Sequence, residues 1–174
     1  MVRTARRRLV ELPADDPWLS LVSRAARDHL DLLGQPSGAR TRQQAAVKVP
    51  LSTGEGPGTS TEHVWLGEVE LGEDVVRGVL LNRPVEPAGR GVDPGSRLVV
   101  PRARVEDWIL GLDGVAVGGF TVQLSRLHLG RLARRRHDRA WGLVFPPPGL
   151  VRLRPGDEAG ALVDLPLPGA RSPW

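Results

Sequence analysis

The stretch Glu62–Leu71 reads EHVWLGEVEL, and it is followed by the short loop Gly72–Asp74 and by Val75–Leu81, VVRGVLL. Both segments are rich in β-branched and large apolar residues and are bounded by polar loop residues, which predicts two strands. A short glycine-containing loop between two such strands is typical of an antiparallel hairpin. Gly67 and Gly78 would lie in facing strands of this hairpin, which indicates a bulge or a bend.

Further strands flank this hairpin along the chain. The pattern predicts strands at Ala45–Leu51, Ser96–Val100 and Val115–Val117, and a short helical turn or strand at Val105–Ile109. Glycine- and proline-containing stretches separate these segments, as is typical of turns. We therefore predict a strongly bent antiparallel sheet or a small SH3-like barrel.

Two helices are predicted, one before the sheet and one after it. The first covers residues 17–33, because Asp16 is typical of a helix start, Gly34 is typical of a helix end, and apolar residues recur between them at helical spacing. The second runs from about residue 122 to residue 137, with Thr121 as its cap. The predicted fold class is α+β, with the N-terminal amphipathic helix packed against the sheet.

The composition divides the chain into an arm, a domain and an extension. These are a basic arm at 1–14, a single α+β domain at 15–145 and a Pro/Gly-rich C-terminal extension at 146–174. Three consecutive prolines open the extension and break regular structure, so we expect it to be peripheral to the core. Within it, Leu150–Leu153 and Gly160–Leu165 are candidates for pairing around a turn. The last strand of the domain is predicted at Trp141–Phe145.

The composition excludes some chemistries before any motif is considered. The 174 residues contain no cysteine, so disulfides and thiolate metal ligands are excluded. The formal net charge is +4, with 20 acidic residues among 24 basic ones, and Lys48 is the only lysine. No apolar run approaches the length of a membrane helix, and none follows the basic N-terminus as in a signal peptide. We therefore expect a cytoplasmic protein with no membrane partner.

No motif of a known catalytic chemistry occurs. The histidines His29, His63, His128 and His137 have no ligand spacing within one element, so no metal is expected. The glycine-rich stretch at 54–58 lacks the lysine of a phosphate loop, and no serine lies in a nucleophile elbow. We expect no cofactor, and an enzyme is the less favoured interpretation.

One candidate polar site combines Glu62, His63, Asn82 and Asp107. Glu62 and His63 begin the central strand and Asn82 ends its partner, so hairpin pairing would bring these residues together. Asp107 would reach the same end of the sheet if Trp108 is buried. The simpler interpretation is that these side chains bond to one another and to loop backbone. The alternative is a ligand or catalytic pocket with His63 as the acid or base.

A candidate basic patch consists of Arg131, Arg134, Arg135, Arg136 and Arg139. If a helix ends near residue 137, these cations lie in its last turns and complement the negative end of its dipole. The other interpretation is a patch for phosphates or for an acidic protein. Nucleic-acid recognition usually needs exposed aromatic residues among the cations, so any such binding is expected to be weak and electrostatic.

Six short motifs occur in order along the centre of the chain. They are Val47-Lys-Val-Pro50, Glu62-His-Val-Trp-Leu66, Gly78-x-Leu-x-Asn-x-Pro84, Pro94-Gly-x-x-Leu-Val-Val100, Val105-Glu-Asp-Trp108 and Gly118-Gly-Phe-Thr121. This series resembles the YegJ-like bacterial family, known as domain of unknown function 2314, over roughly residues 45–127. The resemblance implies a compact β-rich bacterial domain, sometimes found in contexts that suggest toxin immunity. It implies no catalytic residues.

Three function hypotheses follow. The first is a non-catalytic protein-binding or regulatory domain, immunity-like, whose partner is another protein. The second is a small-ligand binder or enzyme with a polar cleft near Glu62 and His63. The third is a weak electrostatic nucleic-acid binder that uses the arginines. Trp65 and Trp108 lie in apolar settings and are predicted to anchor the core rather than to form a binding platform.

Overall fold

The computed structural model describes residues 16–34, 43–52, 61–84, 92–154 and 161–167. These residues form three α-helices, eight strands and two short 3-10 turns. The helices are α1 (Leu19–Asp28), α2 (Phe120–Leu127) and α3 (Arg131–Trp141). The strands are β1 (Gln43–Ser52), β2 (Thr61–Leu71), β3 (Val75–Leu80), β4 (Arg97–Pro101), β5 (Asp107–Leu112), β6 (Val115–Gly118), β7 (Leu150–Arg152) and β8 (Leu162–Asp164). The 3-10 turns are Leu30–Gly34 and Arg102–Arg104.

All eight strands belong to one antiparallel sheet. Their order is β4-β3-β2-β1-β5-β6-β7-β8, and the end strands β4 and β8 do not pair with each other. The α+β prediction, with helices before and after an antiparallel sheet, is confirmed. The SH3-like barrel alternative is wrong, because β7 and β8 extend the sheet away from β4 and leave it open.

Strands β2 and β3 form the predicted hairpin. Gly67 lies opposite Val79, and the register shifts between Gly67 and Glu70, which makes a bulge in β2. Glu68, inside the bulge, has a positive φ of 48°. Gly78 packs so closely on β2 that an added Cβ would lie 2.9 Å from the carbonyl oxygen of Gly67. Of the two alternatives predicted from these glycines, a bulge or a bend, the bulge is confirmed.

Apolar clusters lie on both faces of the sheet. The larger cluster joins sheet residues to α1 and α2, and its buried members include Val22, Ala26, Leu30, Val47, Val64, Trp108, Phe120 and Leu124. The smaller cluster joins Ala46, Trp65 and Ile109 to Trp141 and Phe145. Trp65 is 8% exposed and Trp108 is fully buried, so the prediction that both anchor the core is confirmed.

The helix predicted over residues 17–33 is two elements, because α1 is followed by the 3-10 turn Leu30–Gly34. Asp16 acts near the helix start as predicted, since its carboxylate accepts a hydrogen bond from the backbone N–H of Trp18 at 2.8 Å. His29 ends the α-helix, because its backbone leaves helical geometry (φ −112°, ψ 9°).

The single helix predicted over residues 122–137 is wrong, because α2 and α3 are separate helices. Gly130 lies between them with an extended backbone (φ −63°, ψ 160°). The guanidinium of Arg134 donates to the carbonyl oxygens of Arg126 and Leu129, at 3.1 and 2.8 Å. A side chain of α3 thus caps the end of α2, and helical periodicity in the sequence does not show such a contact.

The predicted strand at Trp141–Phe145 is also wrong. Trp141 is the last residue of α3, and Val144 makes a single parallel bridge to Val115 instead of a strand. The ambiguous segment at Val105–Ile109 is resolved as the start of β5, which is buried along its whole length.

The described part of segment 146–174 is not peripheral to the core, contrary to expectation. Gly118 of β6 pairs with Arg152 of β7, and Val151 and Leu165 are 0% and 3% exposed in the larger cluster. The three prolines precede β7 and do not interrupt it, so they do not prevent pairing. The predicted pairing within this segment is confirmed by β7 and β8. The division of the chain into arm, domain and extension stays a prediction.

Candidate functional site

The central strands place three titratable side chains on one face of the sheet. Lys48 of β1 lies opposite Trp65 of β2 and opposite Asp107 of β5. Pro50, two residues further along β1, lies opposite His63. Directly opposed residues of an antiparallel pair share a face. Lys48, His63 and Asp107 are therefore neighbours on that face.

An imidazole–carboxylate pair lies beside Lys48. The Nδ1 atom of His63 is 2.6 Å from Oε2 of Glu106, and the two side chains are 24% and 17% exposed. The backbone N–H of Glu106 donates to the carbonyl oxygen of Lys48 at 2.9 Å, which holds this residue against β1. Such a pair can accept or deliver a proton at the imidazole ring.

Asp107 is fully buried and holds the N-terminus of α2. Its carboxylate accepts hydrogen bonds from the backbone N–H groups of Phe120 and Thr121, at 2.9 and 2.8 Å, and from the Thr121 hydroxyl at 2.7 Å. It also accepts from the N–H of Trp108 at 2.8 Å. Burial raises the pKa of Asp107, while the Thr121 hydroxyl and the charge of Lys48 act in the opposite direction.

Gly118 and Gly119 bring α2 to this carboxylate. Their φ angles are +75° and +76°, which L side chains rarely adopt. A Cβ on Gly118 would lie 2.5 Å from the carbonyl oxygen of Trp108. The prediction of Thr121 as the cap is wrong, because Gly119 is the cap residue and Asp107 supplies the capping oxygens.

The structure does not gather all four residues of the predicted polar site. The Oδ1 atom of Asn82 accepts a hydrogen bond from the backbone N–H of Trp65 at 2.8 Å, which continues the pairing of β2 past the end of β3. Glu62 lies opposite Leu51, on the other face of β2 from His63. Of the four, His63 and Asp107 share a face, Asn82 pins a strand end and Glu62 lies on the opposite face.

Sequence reasoning missed Lys48 and Glu106 as members of this cluster. Lys48 stands between two valines, Val47 and Val49, that are fully buried on the opposite face. Because successive side chains of a strand point to opposite faces, this pattern could have predicted that Lys48, the chain's only lysine, lies on the other face. Glu106 had no comparable signal, because its pairing with His63 spans 43 residues of sequence.

A second polar network lies between α2 and α3. Arg126 is 4% exposed, and its Nε and Nη2 atoms donate to the two oxygens of Asp138 at 2.9 and 3.0 Å. Its Nη1 atom donates to Oε1 of Gln123 and to the carbonyl oxygen of Pro146, both at 2.7 Å. The guanidinium carbon lies 4.9 Å from the ring centre of Phe145. This arginine joins α2, α3 and the segment before β7.

His137 belongs to the same network. The indole N–H of Trp141 points to its Nε2 atom at 3.3 Å, so Nε2 accepts and the ring proton is on Nδ1, which donates to Asp138 at 3.2 Å. Burial lowers the pKa of His137, although the Asp138 carboxylate acts in the opposite direction. His137 thus serves as a neutral hydrogen-bonding side chain that holds α3 in place.

The predicted basic patch lies on α3. Arg131, Arg135, Arg136 and Arg139 are exposed, whereas Arg134 is half-buried where it caps α2. The interpretation through the helix dipole holds only for Arg139, in the last turn, because α3 begins at Arg131 and the first two of these arginines occupy its positive end. The cations therefore run along the whole helix.

In the described ranges, none of the helices combines the length and the hydropathy needed to cross a membrane. Within the same ranges, no group of three or more histidine, aspartate and glutamate side chains is placed to hold a metal ion.

The fold and the polar groups define a class of protein: an α+β domain with an open antiparallel sheet, in which buried charges hold the helices to the strands. The chain belongs to the bacterial family described as "Uncharacterized protein conserved in bacteria (DUF2314)", which it matches over residues 39–145. The resemblance to domain of unknown function 2314 is confirmed, and the YegJ-like naming stays a prediction.

A protein of Neisseria meningitidis serogroup B, named as an ankyrin repeat protein, is 35% identical to this chain over 109 residues. The match covers 63% of this chain and 42% of that protein, so this chain matches less than half of the relative's length. No solved structure matches the chain.

Proposed function

We propose that this domain is a non-catalytic protein-binding module that takes an extended segment of a partner protein onto the outer edge of β4. The regulatory or immunity-like role and the cytoplasmic location expected from the sequence are part of the same proposal. The observation that carries it is the open edge of β4, which ends the sheet and pairs with β3 alone among the described strands.

The centre of β4 is apolar and exposed. Val99 is 62% exposed, whereas its neighbours Leu98 and Val100 are half-buried. Edge strands are usually blunted by charged residues or proline. In β4 these lie at the ends, at Arg97 and Pro101, and the middle of the strand has neither. The edge is therefore suited to pairing with another strand.

The hydrogen bonds of β3 and β4 give the direction of the free backbone groups. The N–H of Leu80 donates to the carbonyl oxygen of Ser96, and the N–H of Arg102 donates to that of Asp74, at 2.9 and 2.8 Å. Bonded pairs alternate along an antiparallel ladder, so the N–H and C=O groups of Val99 point away from β3. Val99 offers a donor, an acceptor and an apolar side chain to an incoming strand.

Two further observations favour binding over catalysis. Asp107 and Asn82, both predicted for a polar pocket, bond to backbone N–H groups of the fold itself. The Neisseria meningitidis relative is named as an ankyrin repeat protein, and ankyrin repeats form extended binding surfaces.

A proline at position 99 tests the proposal. Val99→Pro removes the outward N–H without removing a bond to β3, and Val99→Thr keeps both the N–H and the side-chain shape. Peptides selected from a displayed library of random linear sequences against the wild-type chain should bind Val99→Thr normally and Val99→Pro about tenfold more weakly. They should also slow hydrogen exchange at the Val99 amide. Peptides that bind Val99→Pro as tightly as the wild type would contradict the proposal.

The pair of His63 and Glu106 favours a second candidate function, a small-ligand site. The pair is partly exposed and lies beside Lys48. A polar ligand bound there would contact an acid–base group, the imidazole–carboxylate pair, and a cation, the lysine. A metabolite that raises the melting temperature of the wild type, but not of His63→Asn or Glu106→Gln, would support this candidate. If every stabilising compound acts equally on all three proteins, the candidate fails.

A further inference from the structure

Helix α3 has one side that is exposed and rich in arginine. The exposed residues on this side, called the basic face below, are Arg131, Leu132, Arg135, Arg136 and Arg139. At about 100° per residue they fall within an arc of about 140°. The opposite side carries His137 and Trp141, which contact each other and the aromatic cluster with Phe145.

Helix stability does not explain the basic face. Arg131, Arg135 and Arg139 are spaced four residues apart, and like charges at that spacing weaken a helix. The first turn of α3 contains no acidic residue, so Arg131 also opposes the helix dipole. Both effects destabilise the helix, so a contribution to folding does not account for the exposed arginines.

The arginines that serve the fold have visible partners. Arg134 caps the carbonyl groups of α2, and Arg126 pairs with Asp138. Asp138 is the only acidic residue of α3, and both of its oxygens bond to Arg126. Five arginines and one aspartate give α3 a formal charge of 5 − 1 = +4 with His137 neutral, which equals the formal charge of the whole chain.

We propose that the basic face binds an acidic segment of a partner protein, with carboxylates that flank an apolar side chain packed on Leu132. Leu132 is 72% exposed, and arginines surround it within the arc. Guanidinium groups pair with carboxylates through two parallel hydrogen bonds, which suits an acidic peptide.

The same geometry favours protein over single-stranded nucleic acid. Single-stranded nucleic acids are bound by aromatic side chains interleaved with cations. On α3 the aromatic residue Trp141 instead packs with Trp65 and Phe145, with ring centres 5.1 and 6.4 Å away. Leu132 is instead exposed one turn from Arg135 and Arg136, and it offers an apolar contact that a partner side chain can use.

This surface is separate from the β4 edge, so the inference does not depend on the proposed function. Helix α3 contributes Trp141 to the cluster over Trp65 and Ile109, whereas β4 lies at the end of the sheet. A variant of the basic face should leave binding at Val99 unchanged, and Val99→Pro should leave binding at the basic face unchanged.

Three fluorescent probes test the inference at physiological salt. They are a peptide in which glutamates flank a leucine, the same peptide with glutamine for glutamate, and duplex DNA. The acidic peptide should bind the wild type and bind the double variant Arg135→Glu/Arg139→Glu at least about tenfold more weakly. The glutamine peptide should not bind. The matched control is Arg24→Glu/Arg104→Glu, which makes the same charge change at exposed arginines elsewhere and should bind normally.

Leu132→Ala separates a protein surface from a nucleic-acid surface. It should weaken binding of the acidic peptide several-fold and leave DNA binding unchanged. The melting temperature of Arg135→Glu/Arg139→Glu should stay close to that of the wild type, because the pair 131/135 becomes attractive while the pair 135/139 remains repulsive. The inference is overturned if the wild type does not bind the acidic peptide, if the control variant loses as much affinity, or if DNA binds more tightly than the peptide.

Discussion

Helix α2 has a buried charge at each end, and the two charges are compensated in different ways. Asp107 lies at its N-terminus and Arg126 in its last turn, with 0% and 4% exposure. Asp107 is held mainly by neutral N–H and O–H donors, whereas Arg126 faces the full carboxylate of Asp138. Dipoles only partly replace the water that a carboxylate loses, which is why burial raises the pKa of Asp107.

This difference indicates how each end of α2 should respond to substitution. Removing Arg126 leaves a second charge, on Asp138, without its partner. Removing the charge of Asp107 leaves only polar N–H groups. Because an uncompensated charge costs more than an unpaired dipole, the larger losses are expected at the Arg126 end.

Arg126→Ala should have the largest effect. We expect the free energy of unfolding to fall by about 4 kcal/mol, as is typical when one partner of a buried ion pair is removed. Urea denaturation followed by tryptophan fluorescence measures this loss. Arg135→Ala, on the exposed side of α3, is the control and should change stability by less than about 0.5 kcal/mol. Equal losses in the two variants would show that the buried network contributes nothing.

Asp107→Asn should cost about 2 kcal/mol, because the amide keeps one acceptor but turns an NH₂ group toward the N–H groups of Phe120 and Thr121. The same denaturation experiment applies, with the exposed Asp93→Asn as the control. A loss larger than that of Arg126→Ala would reverse the comparison between the two ends of α2.

A fall in pH should change the contributions of the two ends of α2 to stability in opposite directions. The pKa of His137 is lowered from its ordinary 6.5, so below that pH the unfolded chain takes up a proton that the folded chain does not, and stability falls as the pH drops. The pKa of Asp107 is raised from 3.8, so near the acid end the folded chain takes up a proton first, which opposes the loss. The contribution of one proton cannot exceed about 1.4 kcal/mol per pH unit.

Stability measured between pH 7 and 5 tests this expectation. His137→Gln should flatten the pH dependence in that range, and Arg135→Ala, at an exposed position of the same helix, should not. An unchanged slope in His137→Gln would mean that this ring does not control the response.

Gln123→Met should have the smallest effect. Gln123 is fully buried, and its Oε1 atom accepts from Arg126, but its Nε2 atom has no hydrogen-bond partner in the described part of the chain. Methionine keeps the volume, loses one hydrogen bond and removes one unpaired donor. The two changes oppose each other, so the free energy of unfolding should change by less than about 1 kcal/mol. A loss as large as that of Arg126→Ala would show that the arginine depends on this amide.

The sequence predicts the central hairpin well because its signals are local. Alternating residues, a short loop and the glycines Gly67 and Gly78 all lie within twenty-odd residues of one another, and each has a direct geometric consequence. The strands of the sheet follow from the same signals. The break between α2 and α3 does not follow from local signals. A glycine such as Gly130 can also occur inside a helix at modest cost, and the contact that caps α2 comes from Arg134, eight residues after Arg126.

The candidate sites were harder to predict because their contacts join distant parts of the chain. Asp107 bonds to Phe120 across 13 residues, and Arg126 bonds to Asp138 across 12. Residue type and spacing predicted His63 and Asp107 at one end of the sheet but did not predict which face each occupies. They could not show that Asp107 serves α2, because that contact depends on how Gly118 and Gly119 turn the chain.

Strands β7 and β8 have a consequence for how copies of this protein meet. They lie outside the family match at residues 39–145, and they extend the sheet beyond β6 through the pair of Gly118 and Arg152. A sheet with two long open edges allows strands to be added without limit, as in fibrils. Strand β8 has three residues and β4 has five, so the longer open edge is at β4. Two copies that met through β4 would leave the three-residue strands β8 as the open edges among the described strands, and so short an edge offers little backbone for further pairing.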